Sequence, residues 1–172
     1  MIYALKPDRI FDSIQLIPIK LFETWNVKGI ILDVDNTLLP RTANDINSEV
    51  VEWVEEIKKK FRVIIISNNS KKKIERVSIP LDLPYIPWAI KPLKIYFKMA
   101  EKRLELKPES ICMIGDQLFT DIKGAKNDDA FKIELNESIF IRQIKIDFYV
   151  DMIDRIKELN LEIDEELKAL RN

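Results

Sequence analysis

The sequence predicts an α/β domain in which a mostly parallel sheet is covered by helices on both faces. Three observations carry this. First, three short runs, KGIILDVD at 28–35, RVIIISNN at 62–69 and SICMIGDQ at 110–117, are continuously apolar and rich in Ile and Val. Continuous rather than alternating patterning marks strands buried on both faces, as in a parallel sheet. Second, segments of helical period lie between these runs, giving the βαβα order of a doubly wound domain. Third, each run ends in polar residues, so the polar groups gather at the carboxyl ends of the strands, where ligands bind in open α/β sheets.

Along the chain, SIQLIPIKLFETWN at 13–26 is rich in large apolar residues. Two readings stand for it: a helix packed on the sheet edge, or an amphipathic surface that touches lipid. In NSEVVEWVEEIKKKF, Val50, Val51, Val54 and Ile57 form an apolar stripe, and Asn47 or Ser48 can cap its start. In PLKIYFKMAEKRLEL, Ile95, Phe97, Met99 and Leu104 mix with Lys and Glu, and Pro92 suits a first helical turn. A fourth strand is expected at AFKIEL, 130–135, and a final helix at FYVDMIDRIKELN. No repeat or linker divides the chain. The expectation is one domain over 1–172, with the chemistry within 28–135 and a helical extension over 136–172.

Composition narrows the chemistry. The chain has 172 residues, 47% hydrophobic and 33% charged, with a net charge of -1. That suits a soluble globular fold, and no basic field points to nucleic acid. The absence of a signal-like start and of a long apolar run leads to an expected place in the cytoplasm. There is no His, which excludes histidine bases, triads and histidine metal sites. A single Cys leaves no intrachain disulfide and no thiolate metal cluster. Cys112 lies in ICMIG and reads as a buried, inert thiol.

What remains is a set of acids. The first run ends in Asp33 and Asp35, then Asn36 and Thr37; the second in Ser67, Asn68 and Asn69; the third in Gly115, Asp116, Gln117, Thr120 and Asp121. AIKPL brings Lys91 to the start of a helix. If the strands are neighbours, four acids, a serine and a lysine share one pocket. Carboxylates clustered on one sheet edge form a hard-oxygen site suited to Mg²⁺, whose charge offsets their repulsion. Such a site beside a lysine and a hydroxyl suits a phosphoryl group. With no His and no reactive Cys, the simplest nucleophile is a carboxylate, with a second Asp as acid and base.

This ordered set resembles the haloacid dehalogenase superfamily of phosphohydrolases. DVDNT at 33–37 is similar to its first motif, Ser67 in IIISNN to its second, Lys91 in KPL to its third and GDQLFTD at 115–121 to its fourth. The resemblance covers residues 28–135 and implies a Rossmann-like sheet. It implies Asp33 as nucleophile and magnesium ligand, and Asp35 as acid and base whose backbone carbonyl also meets the metal. It implies Thr37, Ser67, Asn68 and Lys91 around the phosphoryl group. Asp116 would hold the metal, and Asp121, also counted with the metal site, would hold Lys91 or a metal-bound water. The acid at Asp35, two after the nucleophile, goes with phosphatases in this superfamily.

Neither gap between the first and third motifs has room for a cap domain, so an open site is expected. An open site suits a large or fixed substrate. DNTL, SNN, KPL, GDQLFTD and the lead-in LPYIPWAIKP resemble the YqeG-type branch of subfamily IIIA, which includes phosphatidylglycerophosphate phosphatases. That implies a phospholipid headgroup as substrate, met at the inner face of a membrane, where Lys71, Lys72 and Lys73 could face anionic lipid. Two other classes stay open: a capless phosphatase of phosphoproteins, nucleic acids or soluble esters, and a non-catalytic scaffold. Oligomeric state is not legible.

Overall fold

The computed structural model describes residues 7–126 and 130–135, all within one compact unit, Met1–Asn136. The expected final helix and the extension over 136–172 lie outside the described residues.

The apolar runs become strands as expected. β2 is Gly29–Leu32, β3 Arg62–Ile66, β5 Ile111–Gly115 and β6 Phe131–Leu135. Two more strands complete the sheet: β1, Arg9–Phe11, and β4, Tyr85–Ile86. The order is β1-β6-β5-β2-β3-β4, and every pairing is parallel. β2 is therefore central, in register with β5 through Leu32↔Ile114 and with β3 through Leu32↔Ile65.

Both faces of the strands are buried, which explains the unbroken apolar runs. Ile30, Leu32, Val63, Ile65, Cys112 and Ile114 pack with residues of α1 (Ile19–Thr24), α2 (Ser48–Lys58) and α3 (Lys71–Ser78). The alternate residues Ile31, Ile64, Ile66, Ile111 and Met113 pack with α4 (Lys94–Leu104) and α5 (Lys123–Lys126). Each fully buried Ile contributes about 1.5–3 kcal/mol of transfer free energy.

α2 starts where expected: the Asn47 side chain accepts from the Glu49 N–H at 2.9 Å. Its stripe contains Val50, Val54 and Ile57 but also Trp53, while Val51 is only half-buried. The 13–26 stretch packs into the core, with Leu16 left exposed. Ile14, Ile17 and Phe22 are buried. Trp53 Nε1 donates to the Ile17 carbonyl at 2.9 Å, and Phe22 meets Trp53 and Phe61 edge to face.

Two expectations for α4 are corrected. Pro92 is not in its first turn: it follows a cis Lys91–Pro92 bond, and the helix begins at Lys94 with Leu93 as N-cap. Phe97, Ala100 and Leu104 face the core, but Ile95 and Met99 face outward. A spacing of four puts those two on one flank of the helix, and that flank is turned away from the sheet. No helix among the described residues is long and apolar enough to cross a membrane.

Candidate active site

The polar strand ends meet at the carboxyl edge of β2, β3 and β5. Asp33 follows β2 directly and is fixed there by its N–H to the Ile114 carbonyl, 3.0 Å. Ser67 follows β3 and Asp116 follows β5. Asp121 lies in a π-helical turn, Leu118–Ile122, after β5. A π-turn inserted in this way is frequent at functional sites. Here it brings Asp121 back over Gly115, where a Cβ would overlap the Asp121 carboxyl group. Glycine at 115 is thus required by close approach rather than by its own backbone angles.

Lys91 is the hub. Its Nζ donates to Asp33 Oδ1 at 2.6 Å and to Asp121 Oδ1 at 2.5 Å, with all three side chains buried. Burial alone would lower the Lys91 ammonium, but Asp121 and Asp33 outweigh it and hold it above its usual range. Burial pushes the Asp121 carboxyl up to about 7; Lys91 opposes this, and the charges of Asp33 and Asp116 add to it. Carboxylate oxygens of Asp33, Asp116 and Asp121 all lie within 4.8 Å of one another. Three buried carboxylates face one buried ammonium, and a surplus of negative charge in low dielectric is stable only with a further cation or protons. An all-oxygen set of this kind fits a hard divalent ion such as Mg²⁺.

A second polar group flanks the first. Asp35 accepts from Lys73 Nζ at 2.7 Å and from Asn69 Nδ2 at 3.1 Å, and Arg41 Nε lies 4.0 Å away. Partial burial would raise the Asp35 carboxyl, but these donors together hold it below the usual carboxylate range. Asn69 Nδ2 also donates to Ser67 Oγ, as does the Asn69 N–H, so the Ser67 hydroxyl proton is left to point at a ligand oxygen. Thr37 Oγ1 is buried with no hydrogen-bond partner among the described residues. A buried hydroxyl without a partner is costly, and a bound oxyanion would complete it.

The structure therefore brings Asp33, Lys91, Asp116 and Asp121 into direct contact range, with Asp35, Thr37 and Ser67 on the same edge. Asn68 is different: its Oδ1 accepts from the Lys91 N–H at 2.9 Å, so this oxygen braces the lysine loop. Several contributors carried no assigned part in the sequence. Asn36, at φ 55°, donates Nδ2 to Asp116 Oδ2 at 2.9 Å. Asn69 links Asp35 to Ser67, and Lys73, expected with Lys71 and Lys72 to face anionic lipid, pairs instead with Asp35. The Gln117 N–H donates to Asp121 Oδ2 at 3.2 Å. An Asn in a strand-end turn is the one signal that could have singled out Asn36 and Asn69.

The segments between the motifs hold only α2 with β3, then α3 with β4, and no inserted cap. The fold, with acids at the ends of its central strands, is that of a phosphohydrolase. A family profile described as haloacid dehalogenase-like hydrolase matches residues 41–127, and one described as mitochondrial PGP phosphatase matches residues 3–78. The chain belongs to the haloacid dehalogenase-like hydrolases, and it is a phosphatase. It is 40% identical over 124 residues to "Probable phosphatase YqeG" of Bacillus subtilis, covering 71% of this chain and 72% of that protein.

Solved structures agree on the fold. The HAD-hydrolase YfnB from Bacillus subtilis, solved bound to magnesium, superposes with a TM-score of 0.55 at 13% identity, over 66% of this chain and 88% of that one. An uncharacterized protein from Listeria monocytogenes serotype 4b gives 0.54 at 21% identity, over 64% of this chain and 79% of that one.

Proposed function

We propose that this phosphatase is a Mg²⁺-dependent phosphomonoesterase that works through an aspartyl-phosphate at Asp33, and that its substrate is phosphatidylglycerophosphate. One observation carries the chemistry: Lys91 braces Asp33 and Asp121 beside Asp116, three buried carboxylates around one ammonium. Asp33, Asp116, Asp121 and the Asp35 carbonyl would hold the metal, which when bound neutralises charge on the phosphoryl oxygens.

The steps belong to the side chains. The Asp33 oxygen not held by Lys91 attacks phosphorus, and the bond from phosphorus to the alkoxide breaks. In the form of the enzyme that carries a proton on Asp35, against the pull of Lys73 and Asn69, that proton passes to the departing alkoxide, leaving an alcohol. Lys91, Ser67 and Thr37 meet the phosphoryl oxygens as charge builds there. Asp35 then removes a proton from water, the hydroxide oxygen attacks phosphorus, and the bond from phosphorus to Asp33 breaks. Inorganic phosphate leaves and both carboxyl groups are restored.

The lipid substrate is supported by the profile over residues 3–78, described as PGP phosphatase. It is also supported by the missing cap, because a site open to bulk solvent suits a headgroup presented by a surface. On this reading the chain acts from the cytoplasm, peripherally at the inner face of the membrane. The test is phosphate release from phosphatidylglycerophosphate in mixed micelles, with and without Mg²⁺, for wild type and Asp33→Asn. Magnesium-dependent release that vanishes in the variant is expected. Turnover of an aryl phosphate with none of the lipid would discard the substrate and keep the chemistry.

A further inference from the structure

The segment that delivers Lys91 also presents apolar side chains to solvent. Ala89 and Lys91 point inward and are buried, while Trp88 and Ile90 between and beside them are each 61% exposed and Leu93 is 51% exposed. The segment is held in place by three hydrogen bonds to the neighbouring strand end: Trp88 N–H to the Asn69 carbonyl, Ala89 N–H to the Ser67 carbonyl, and Lys91 N–H to Asn68 Oδ1. Trp88 and Ile90 take positive φ, 52° and 29°, conformations that a bulky or β-branched residue avoids unless the surroundings impose them. The imposed backbone keeps these two side chains outward beside the mouth of the site. Ile95 and Met99 extend the apolar surface along α4.

Charge identifies the partner. Residues 71–103 carry nine Lys and Arg against three Asp and Glu; with buried Lys91 and Asp35-paired Lys73 set aside, seven cations remain against three acids, one of them Glu75, 3.6 Å from Lys71, in a chain whose net charge is -1. Lys71, Lys72 and Arg76 on α3 are exposed. α3 begins two residues after Asn69, whose carbonyl holds Trp88. An aromatic tip with aliphatic neighbours, flanked by cations, has the chemistry of a surface that enters the interface of an anionic bilayer.

We infer that Trp88, Ile90 and Leu93, with Lys71 and Lys72, form a docking surface for an anionic phospholipid bilayer that sets the mouth of the active site against the headgroups. The inference deepens the phosphatidylglycerophosphate reading, and its test is separable from it. The protein is mixed with vesicles of phosphatidylglycerol and phosphatidylcholine, or of phosphatidylcholine alone, and sedimented at several salt concentrations. Wild type, Trp88→Ser, Leu93→Ser and Lys71→Ala/Lys72→Ala are compared, with a soluble aryl phosphate as control substrate.

The anionic vesicles should bind wild type and the zwitterionic ones should not. Trp88→Ser should weaken partitioning about tenfold, the low end of what removing a large apolar side chain from water contributes. Each cation removed should weaken it roughly fivefold, with a smaller salt dependence. Turnover of the aryl phosphate should be unchanged, which also shows that the variants fold. Equal binding by wild type and all variants would overturn the inference. So would absence of vesicle binding alongside full turnover of phosphatidylglycerophosphate in micelles, a result that leaves the proposed substrate standing. A dimer in solution that Trp88→Ser dissociates would reassign the face to a second copy of this chain. Vesicle binding with the predicted losses but no turnover of the lipid would uphold the surface and discard the substrate.

Discussion

Replacing Lys91 with Met keeps most of the side-chain volume and removes the ammonium. The structure gives a definite expectation, because the lost charge is buried and holds two carboxylates at 2.6 and 2.5 Å. Breaking a buried ion pair by removing one partner costs about 3–5 kcal/mol, since the remaining charge has no compensation. For a chain of this size that corresponds to roughly 6–20 °C in melting temperature, at about 2–4 °C per kcal/mol. The loss depends on pH, and its sign follows from Asp121, whose carboxyl is raised from 3.8 to about 7 in the folded chain. A carboxyl with a raised folded value contributes stability that is present below 3.8 and is lost as pH rises through the folded value. Without the ammonium, which opposes the rise, the Asp121 carboxyl moves higher still. The variant is therefore close to wild type near pH 4 and falls behind through pH 7. The assay is urea unfolding followed by circular dichroism, in EDTA, across that pH range. A loss under about 1 kcal/mol, the scale of an exposed pair, or a gap that does not change with pH, would refute the account of Lys91 as the buried counter-charge.

Other expectations follow from neighbouring geometry. Gly115→Ala drives a methyl group into the Asp121 carboxyl, so isothermal titration should show magnesium affinity lowered by roughly 10–100-fold, the usual effect of disturbing a supporting position. Asp35→Asn removes the acid and base, and steady-state turnover of an aryl phosphate should fall by about 10²–10⁴-fold with little change in melting temperature. Cys112 is fully buried and its thiol is pushed up by that burial; a thiol reagent should leave it untouched in the native protein and label it completely in urea. Trp53 fills the core and donates to the Ile17 carbonyl, so Trp53→Ala should cost about 3–5 kcal/mol in urea unfolding.

The strands that carry the site were legible because they are covered on both faces. Ile30, Ile31 and Leu32, or Ile64, Ile65 and Ile66, contact different helices with alternate residues, and only an all-apolar run satisfies both sides. The edge strands were not legible. β1 is the three residues RIF with two of them exposed, and β4 is two residues long. Neither is long enough to show a period, and their pairing with β6 and β3 supplies what their own sequence does not.

The acids at the strand ends were visible as motifs, and the parallel register brings them together. Their supports were not visible, because Asn36 meets Asp116 across 80 residues, Asn69 meets Asp35 across 34 and Lys73 meets Asp35 across 38. No local pattern encodes such pairs. The lysine run read as one feature, yet it divides in the fold: Lys73 turns toward Asp35, while Lys71 and Lys72 stay exposed. The N-terminal apolar stretch, which the sequence reads first as a helix packed on the sheet edge and second as a lipid-facing surface, buries Ile14, Ile17 and Phe22 in the core. Trp88, Ile90 and Leu93 are exposed together, inside a stretch that the sequence marks chiefly by its prolines.

The most direct test of the central claim is to look for the covalent intermediate. Asp35→Asn slows breakdown of an aspartyl-phosphate, so the variant is mixed with Mg²⁺ and an aryl phosphate, quenched in acid and digested for peptide mass spectrometry. The account predicts one added phosphoryl group on the peptide containing residue 33, located to Asp33, and none when Mg²⁺ is omitted. A phosphoryl group on another side chain, or turnover by wild type with Asp33 never modified in either protein, would contradict it.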